Sequence, residues 1–554
     1  IGRHRARTLR AEQFAPRRAQ GERKHASTRL SDPDAFQPVN AAARLSRRRR
    51  FGDAIQNDRR PAMSIEQDPR SLGTLVTDLV NQMSELVRTE ARLLRSEMQE
   101  KLSKFGTGAM EVAAGAVCLL AALLVLLQAQ TGFAEPRIRI DLERQTQKKV
   151  TIAVTDFVLK DSIADFMGIG KEAKKILEKD LILSEWFSFL QKPVFEELEK
   201  METSTSKVDY RSWRQVGAQW LIKTEYGMLK NGNGQVFTFR LYDAVNKRFL
   251  LGKRYRASRD LLRKVVHRFA DEVVMQLTGK LGIAETQIAF LNQENGSKEI
   301  YLIDFDGYNL RRLTNDHSVN LSPAWSPDGN WIIYTSYAAR NPDLIMINTT
   351  GAKRQTLHRL PGLNAAPAWS PDMQKIALVL SRDQNSEVYI LNKDRKLERL
   401  THHFNIDTSP TWSPDGKKIA FTSDRSGTGA PQIYIMDSSK GDQSKVTRIS
   451  FGSSYNDNPA WSPNGDKIAY TSRVGKKFQI RIYDLNSHKS QVMTVGSGSC
   501  EQPSWSPDGR FIIFRKRTNN RFNIFIQRVG SEETRQLTFS GRGHSPAWSP
   551  YFKH

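Results

Sequence analysis

The 554 residues contain only two cysteines, Cys118 and Cys500. One lies in an apolar run and the other far downstream in a repeat region, which excludes a disulfide framework and leaves the compartment open. Catalytic signatures are missing as well. Gly496-Ser497-Gly498-Ser499 has the wrong spacing for a nucleophile elbow. Phe166-Met167-Gly168-Ile169-Gly170-Lys171-Glu172 lacks the first glycine and the Ser/Thr of a phosphate loop, and reads as a helix start. Neither His-Glu-x-x-His nor paired Cys-x-x-Cys occurs. His402-His403 is an adjacent pair in a connection, and Asp328, Asp415 and Asp508 sit in Asp-Gly turns, where Asp serves the turn rather than calcium. The expectation is a non-enzyme with no metal and no cofactor. Acidic residues are also few: 59 Asp and Glu against 84 Lys and Arg, a net charge of +25. Such an excess suits an anionic partner. Its spread over the whole length, with Arg47-Arg48-Arg49-Arg50 as the one dense run in the tail, argues against nucleic acid.

Long apolar runs are scarce, and the one present divides the chain. Residues 1–62 are rich in Arg and Ala without apolar periodicity and are expected to be disordered. Two readings stay open for them, a polybasic membrane contact or translation upstream of Met63-Ser64-Ile65-Glu66; the second is favoured. Residues 63–108 carry helically spaced apolar side chains, among them Leu72, Leu75, Val76, Leu79, Met83 and Leu86, and predict an amphipathic helix. Val112 to Leu127 is free of charge, slightly short for a spanning helix and slightly long for a signal core. Residues 109–134 are therefore a cleaved signal, cut before Glu135 after Gly132-Phe133-Ala134, or an uncleaved anchor whose residues 109–130 touch the membrane. Either way, residues 135–554 are expected to be exported, to the periplasm. Residues 64–128 also resemble a small holin-like inner-membrane protein cut after its first membrane segment.

Residues 135–284 read as an α/β domain. Lys149–Val154, Trp220–Tyr226 and Val236–Tyr242 are strands, with Gly170–Trp186 and Asp260–Leu281 as helices. From 285 onward Trp-Ser-Pro recurs at Trp325, Trp369, Trp412, Trp461, Trp505 and Trp548, 43 to 49 residues apart. That is the period of propeller blades. One unit reads as four short strands, with Asp-Gly as the hairpin signal between the first two and Trp filling the gap between sheets. Met373 replaces the turn glycine in one copy, so that hairpin is expected to be looser. Gln287-Ile288-Ala289-Phe290-Leu291 opens a unit with no Trp-Ser-Pro before it, and Trp548 has no strand after it. The C-terminal strand is thus expected to close a six-bladed ring at 285–554.

With chemistry excluded, a binding surface remains. The polar residues just ahead of each tryptophan, Asn320, Asn364, Asp407, Asn456, Asp457, Glu501 and His544, are expected to form a rim around the channel mouth.

An α/β domain followed by six blades of Pro-x-Trp-Ser-Pro-Asp-Gly resembles the TolB family of the Tol–Pal envelope system. The likeness is carried by Thr422-Ser423-Asp424-Arg425-Ser426-Gly427, Gln432-Ile433-Tyr434-Ile435-Met436-Asp437, Arg311-Arg312-Leu313-Thr314 and the terminal Pro546-Ala547-Trp548-Ser549-Pro550-Tyr551-Phe552. Glu135-Pro136-Arg137-Ile138-Arg139-Ile140 resembles the family's first mature strand. The resemblance implies that the rim, with Asn364, Thr408 and Ser409, binds a Pal-like peptidoglycan-associated lipoprotein. It also implies that Glu135, Arg137, Ile138, Arg139 and Ile140 engage a TolA-like inner-membrane protein. Two other classes stay in view: a propeller tied to peptidase or small-molecule hydrolysis, and a membrane-tethered structural factor.

Overall fold

The computed structural model describes residues 149–552, apart from 161–167, 203, 230–233 and 428. All of these belong to one compact unit that begins at Leu123. The expectations for residues 1–148, including the amphipathic helix, the apolar run and the segment Glu135–Ile140, fall outside the described residues. Among the described residues no helix is long and apolar enough to cross a membrane.

The first lobe is an α/β layer built on alternation. Its strands are β1 (Val150–Val154), β2 (Val158–Leu159), β3 (Phe187–Phe189), β4 (Trp220–Met228), β5 (Gln235–Asp243) and β6 (Arg248–Ala257). They run in the order β3-β1-β4-β5-β6, with β2 beside β4. β1 pairs in parallel with β3 and β4, whereas β4, β5 and β6 pair antiparallel. Successive side chains face opposite layers. Ile152, Val154, Ile222 and Leu241 turn toward helices α1 (Ile169–Leu183) and α4 (Leu262–Thr278). Their neighbours Ala153, Leu221 and Tyr242 turn toward α2 (Lys192–Met201) and α3 (Tyr210–Gln215), where Phe195 and Trp213 are buried. Phe239 of β5 stacks on Phe269 of α4 with centroids 4.3 Å apart, and each fully buried ring contributes about 1.5–3 kcal/mol. α4 stops at Gly279, whose left-handed φ of 74° lets its N–H close on the Met275 carbonyl. The sequence reading missed β2, β3, β6, α2 and α3, ran both long helices three residues too far at the C-terminal end, and began α4 two residues early.

The second lobe is a closed propeller of six four-stranded antiparallel blades. Blade 1 joins β30 (Gly543–Trp548) to β7 (Gln287–Glu294), β8 (Ser297–Asp304) and β9 (Arg311–Arg312). Trp548 lies opposite Ile288 and Gly543 opposite Asn292, so the C-terminal strand closes the ring as expected. Blades 2 to 6 follow in chain order, with inner strands β10 (Asn320–Trp325), β14 (Asn364–Trp369), β18 (Asp407–Trp412), β22 (Asn456–Trp461) and β26 (Ser499–Trp505).

Three devices repeat. The tryptophans fill the space between blades, and several also stitch it. The indole N–H groups of Trp325, Trp412 and Trp505 donate to the carbonyls of Ala547, Ala368 and Ala460 on the preceding blade, at 3.0–3.1 Å. Trp548 instead donates to Thr286, and Trp461 donates within its own hairpin. In the turns, the Ser hydroxyl donates to the Asp two residues on, as in Ser370–Asp372 and Ser413–Asp415, both 2.6 Å. The loose hairpin expected at Met373 is a correction. Met373 takes a φ of 61° and its N–H meets the Ser370 carbonyl at 3.0 Å, so the turn keeps its shape and the backbone carries the strain.

The third device was not read from the sequence. A Thr or Ser after the outer strand accepts from a backbone N–H near the start of the third strand and donates to the side chain one residue before it. Thr494 accepts from Ile480 N at 2.9 Å and donates to Gln479 at 2.6 Å. Thr314, Thr401, Ser450 and Thr538 repeat the clamp in four other blades.

Because each blade runs antiparallel, its inner strand starts on the face where its outer strand ends. The turns between strands 1 and 2, and between strands 3 and 4, lie on the other face, and that face meets the α/β lobe. The Arg510 guanidinium donates to the Ser184 carbonyl at 2.9 Å and lies 3.8 Å from the Trp186 ring centroid. Phe305, Phe511 and Trp548 join the core of α1 and α4, so one apolar cluster runs through both lobes.

Candidate binding face of the propeller

The inner strands position the channel. In all six blades the strand register shifts just ahead of the tryptophan. At this bulge a proline sits two residues before Trp, where no ladder N–H is needed. The residue before that proline takes φ between 44° and 59°: Ser322, Ala366, Ser409, Asn458, Gln502 and Ser545. None is glycine, so each copy costs roughly 1–2 kcal/mol. The strain recurs with the symmetry of the ring and belongs to the architecture. These six residues and their prolines line a channel space of ≈ 190 Å³. Only Ser409 among them had been singled out by sequence; Asn458 is of a type that takes this backbone readily, but nothing in Ser, Ala or Gln announces it.

The channel lining is polar, and several of its groups bond one another. Asp457 accepts from Thr422 Oγ1 at 2.9 Å and from Asn458 N at 2.6 Å. The Gln502 side chain accepts from Ser545 N at 2.9 Å and donates to Ser545 Oγ at 3.1 Å. Thr408, Ser409, Asp457 and Glu501 are half-buried here, and Glu501 pairs with Arg515.

The expected exposed rim is corrected at five positions. Asn320, Asn364, Asp407 and Asn456 are 0% exposed and His544 is 8% exposed. The first four open the inner strands and tie their entry loops. Asn364 donates to the carbonyl of Leu360 at 2.8 Å, Asn456 donates to Gln432 at 2.8 Å, and Arg425 clamps Asp407 at 2.6 Å. A polar residue five positions before Trp thus anchors the blade instead of facing solvent. His544 lies against Phe522 with the rings tilted, 4.8 Å between centroids, and with Arg515 Nη1 at 3.0 Å from its Nδ1. Burial first, then the charges of Arg515 and Lys298, push its imidazole down to about 4. It is neutral near pH 7 and accepts from the guanidinium. Of the sequence-picked residues Ser409 lines the channel space, the five buried ones are packed within the blades, and Glu135–Ile140 lie outside the described residues.

What the open face does expose was missed. The loops leaving the outer strands carry Phe404 (86% exposed), Ile406, Phe451 (59%), Val495 and Phe539 (78%). Phe451, Val495 and Phe539 each directly follow the clamp Thr or Ser, a signal visible once the repeats are aligned on that residue. Water-exposed aromatics on several neighbouring loops mark a place where a partner removes them from water. The adjacent histidines do not converge: His402 Nδ1 meets Asp442 at 3.1 Å, while His403 stacks on Phe404 at 4.4 Å. Cys500 is buried, and burial pushes its thiol up to about 11, which makes it inert.

The covered face differs in kind. Asp180 of α1 meets His267 Nδ1 at 2.6 Å, and Arg263 pairs with Asp306 of the turn between β8 and β9. Lys179 donates to the Asp306 carbonyl at 2.9 Å and, with Arg263, flanks the Tyr308 ring. Ligand atoms of Asp180, His267 and Asp306 lie within 4.8 Å of one another. With two cations already among them, the set is an ion-pair network between lobes.

Comparison with known proteins follows this division. The family model described as the TolB beta propeller domain matches residues 274–552, and the TolB amino-terminal domain matches 138–250. A third, described as Actinobacterial Holin-X, holin superfamily III, matches 73–140, in line with the holin-like resemblance of the apolar run. The Tol-Pal system protein TolB of Desulfosudis oleivorans is 37% identical over 274 residues, 49% of this chain and 61% of its own length. That of Geobacter sulfurreducens is 39% identical over 166 residues, 30% of this chain and 38% of its own. The chain thus spans less than two thirds of the curated relatives it matches. The crystal structure of TolB from Acinetobacter baumannii shares 26% identity and a TM-score of 0.61, covering 73% of this chain and 97% of that one. From the propeller match, the closed six-bladed ring and the amino-terminal lobe, the chain belongs to the TolB family.

Proposed function

We propose that the chain is an exported, non-enzymatic component of a Tol–Pal envelope system, acting in the periplasm by protein–protein contact. Its relatives' name supports the system. The observation that carries the contact is the group of exposed side chains Phe404, Ile406 and Phe451 on the open face of blades 3 and 4. There a Pal-like peptidoglycan-associated lipoprotein docks, with half-buried Thr408, Ser409, Asp457 and Glu501 at the channel mouth beside it. The segment Glu135–Ile140 engages a TolA-like inner-membrane protein. Titration with the soluble domain of a Pal-like lipoprotein tests the docking. Phe404→Ser with Phe451→Ser is expected to weaken binding by at least about tenfold. Wild-type protein that does not bind, or a variant that binds unchanged, contradicts it. Deleting Glu135–Ile140 is expected to remove capture by TolA and leave the lipoprotein titration unchanged.

A further inference from the structure

The open face is not uniform. Around blades 5 and 6 its loops carry exposed Arg473, Lys476, Lys477, Arg517, Arg521 and Arg542. The four segments that hold them or lie between them, 473–477, 495–499, 515–521 and 539–543, contain no Asp or Glu. None of the six cations has an acidic partner among the described residues; Arg517 donates to the Asn520 side chain at 2.6 Å. The segments touch in sequence around the ring. Phe478 N donates to Ser499 Oγ at 3.2 Å, Gly498 packs so closely on the Arg517 carbonyl that a Cβ would clash with it, and Phe522 bridges Arg542. They therefore form one continuous basic ridge. Apolar tips stand among the charges: Val474, Val495 and Phe539 are all exposed.

We propose that this ridge binds an anionic phospholipid surface. The proposal goes beyond the docking reading and does not rest on it. Like charges gathered without counter-charges raise the local potential, which only an external anion relieves. The apolar tips favour a lipid surface over an acidic protein, and headgroups accept Lys and Arg without fixing them. Exposed apolar tips between the cations suit the boundary between headgroups and acyl chains. Phe539 inserts while its flanking cations meet phosphates.

The described residues form one compact unit. The A. baumannii TolB, 97% of which aligns with this chain, crystallises with the same fold. A fragment of residues 135–554 is therefore tested, free of the apolar run. It is co-sedimented with vesicles of phosphatidylcholine and phosphatidylglycerol, and with vesicles of phosphatidylcholine alone. Binding is expected only with phosphatidylglycerol and is expected to fall as salt rises. The change Lys476→Ser/Lys477→Ser/Arg521→Ser/Arg542→Ser is expected to lower it by at least about tenfold. The pair Lys476→Ser/Lys477→Ser, on an exposed hairpin tip that touches no buried group, is expected to lower it by about fivefold or more. Lys417→Ser/Lys418→Ser, in a turn of the opposite face, is expected to change nothing. Absence of wild-type binding, equal binding to both vesicles, or binding unaffected by the ridge changes overturns the proposal, and capture of an acidic protein in place of vesicles overturns it too.

Discussion

The two faces of the propeller are built from the same repeat and have opposite electrostatic habits. On the covered face, charges are buried and matched: Asp180 with His267, Arg263 with Asp306, Arg510 with a carbonyl and a ring. On the open face, Arg359, Arg425 and Arg515 pair with acids, but the ridge of blades 5 and 6 carries cations without them and aromatics stand without cover. A repeat alone does not decide this. The turns of one face are fixed by Ser-Pro-Asp-Gly, whereas the loops of the other tolerate change in length and composition. Interactions inside the molecule occupy most of the first face, whereas the second leaves its loops open to solvent.

The comparison breaks most visibly at Asp306. Asp306→Asn removes the charge from a buried pair and leaves Arg263 half-satisfied, and is expected to cost about 3 kcal/mol. Denaturant unfolding measures it, and a change within experimental error would mean the lobes are held by apolar contact alone.

The next effect is on pH dependence. Burial raises the Asp180 carboxyl to about 6, although the charge of His267 opposes the rise. Burial lowers His267, but the charge of Asp180 outweighs it and the imidazole is held above its usual value. In both groups the native state binds its proton more tightly than the unfolded chain. Their contribution is complete below the ordinary carboxylate range and fades as pH rises through about 6 and on through the raised histidine value. Buried Asp271, raised to about 7, adds a slope of the same sign. The double change Asp180→Asn/His267→Asn is expected to flatten this decline by on the order of 2 kcal/mol. Unfolding curves across the acid to neutral range measure it, and an unchanged slope would assign the decline to other groups.

The smallest effect is on the open face. Phe404→Ser or Phe451→Ser is expected to change folding stability by less than about 0.5 kcal/mol, since each ring is already in water. A larger loss in thermal or denaturant unfolding would place these rings in the core and erase the contrast.

The ring and its closure were legible because Trp-Ser-Pro and Asp-Gly are rare enough to count, and because a strand without a partner at each end can be matched. The site was legible only in position. Residues ahead of each Trp do line the channel, but the type of residue misleads: Asn320 and Asp407 are polar because they tie loops in the interior, not because they meet water. The bulge was hidden because its left-handed residues are not glycines. β6 was missed because Arg248-Phe249-Leu250-Leu251-Gly252-Lys253 breaks strict alternation, where Phe249 and Leu251 straddle a register shift against Leu241 and Tyr242. Phe404 and Phe451 passed as ordinary loop residues, since exposure is a property of the fold and not of the residue.

Hydrogen exchange of the protein with and without the soluble domain of a Pal-like lipoprotein tests the division of faces most directly. Slowed exchange confined to the loops around Phe404, Phe451 and the channel mouth is the predicted result. Slowed exchange in the Ser-Pro-Asp-Gly turns or in α1 and α4, with the open face unchanged, would contradict it.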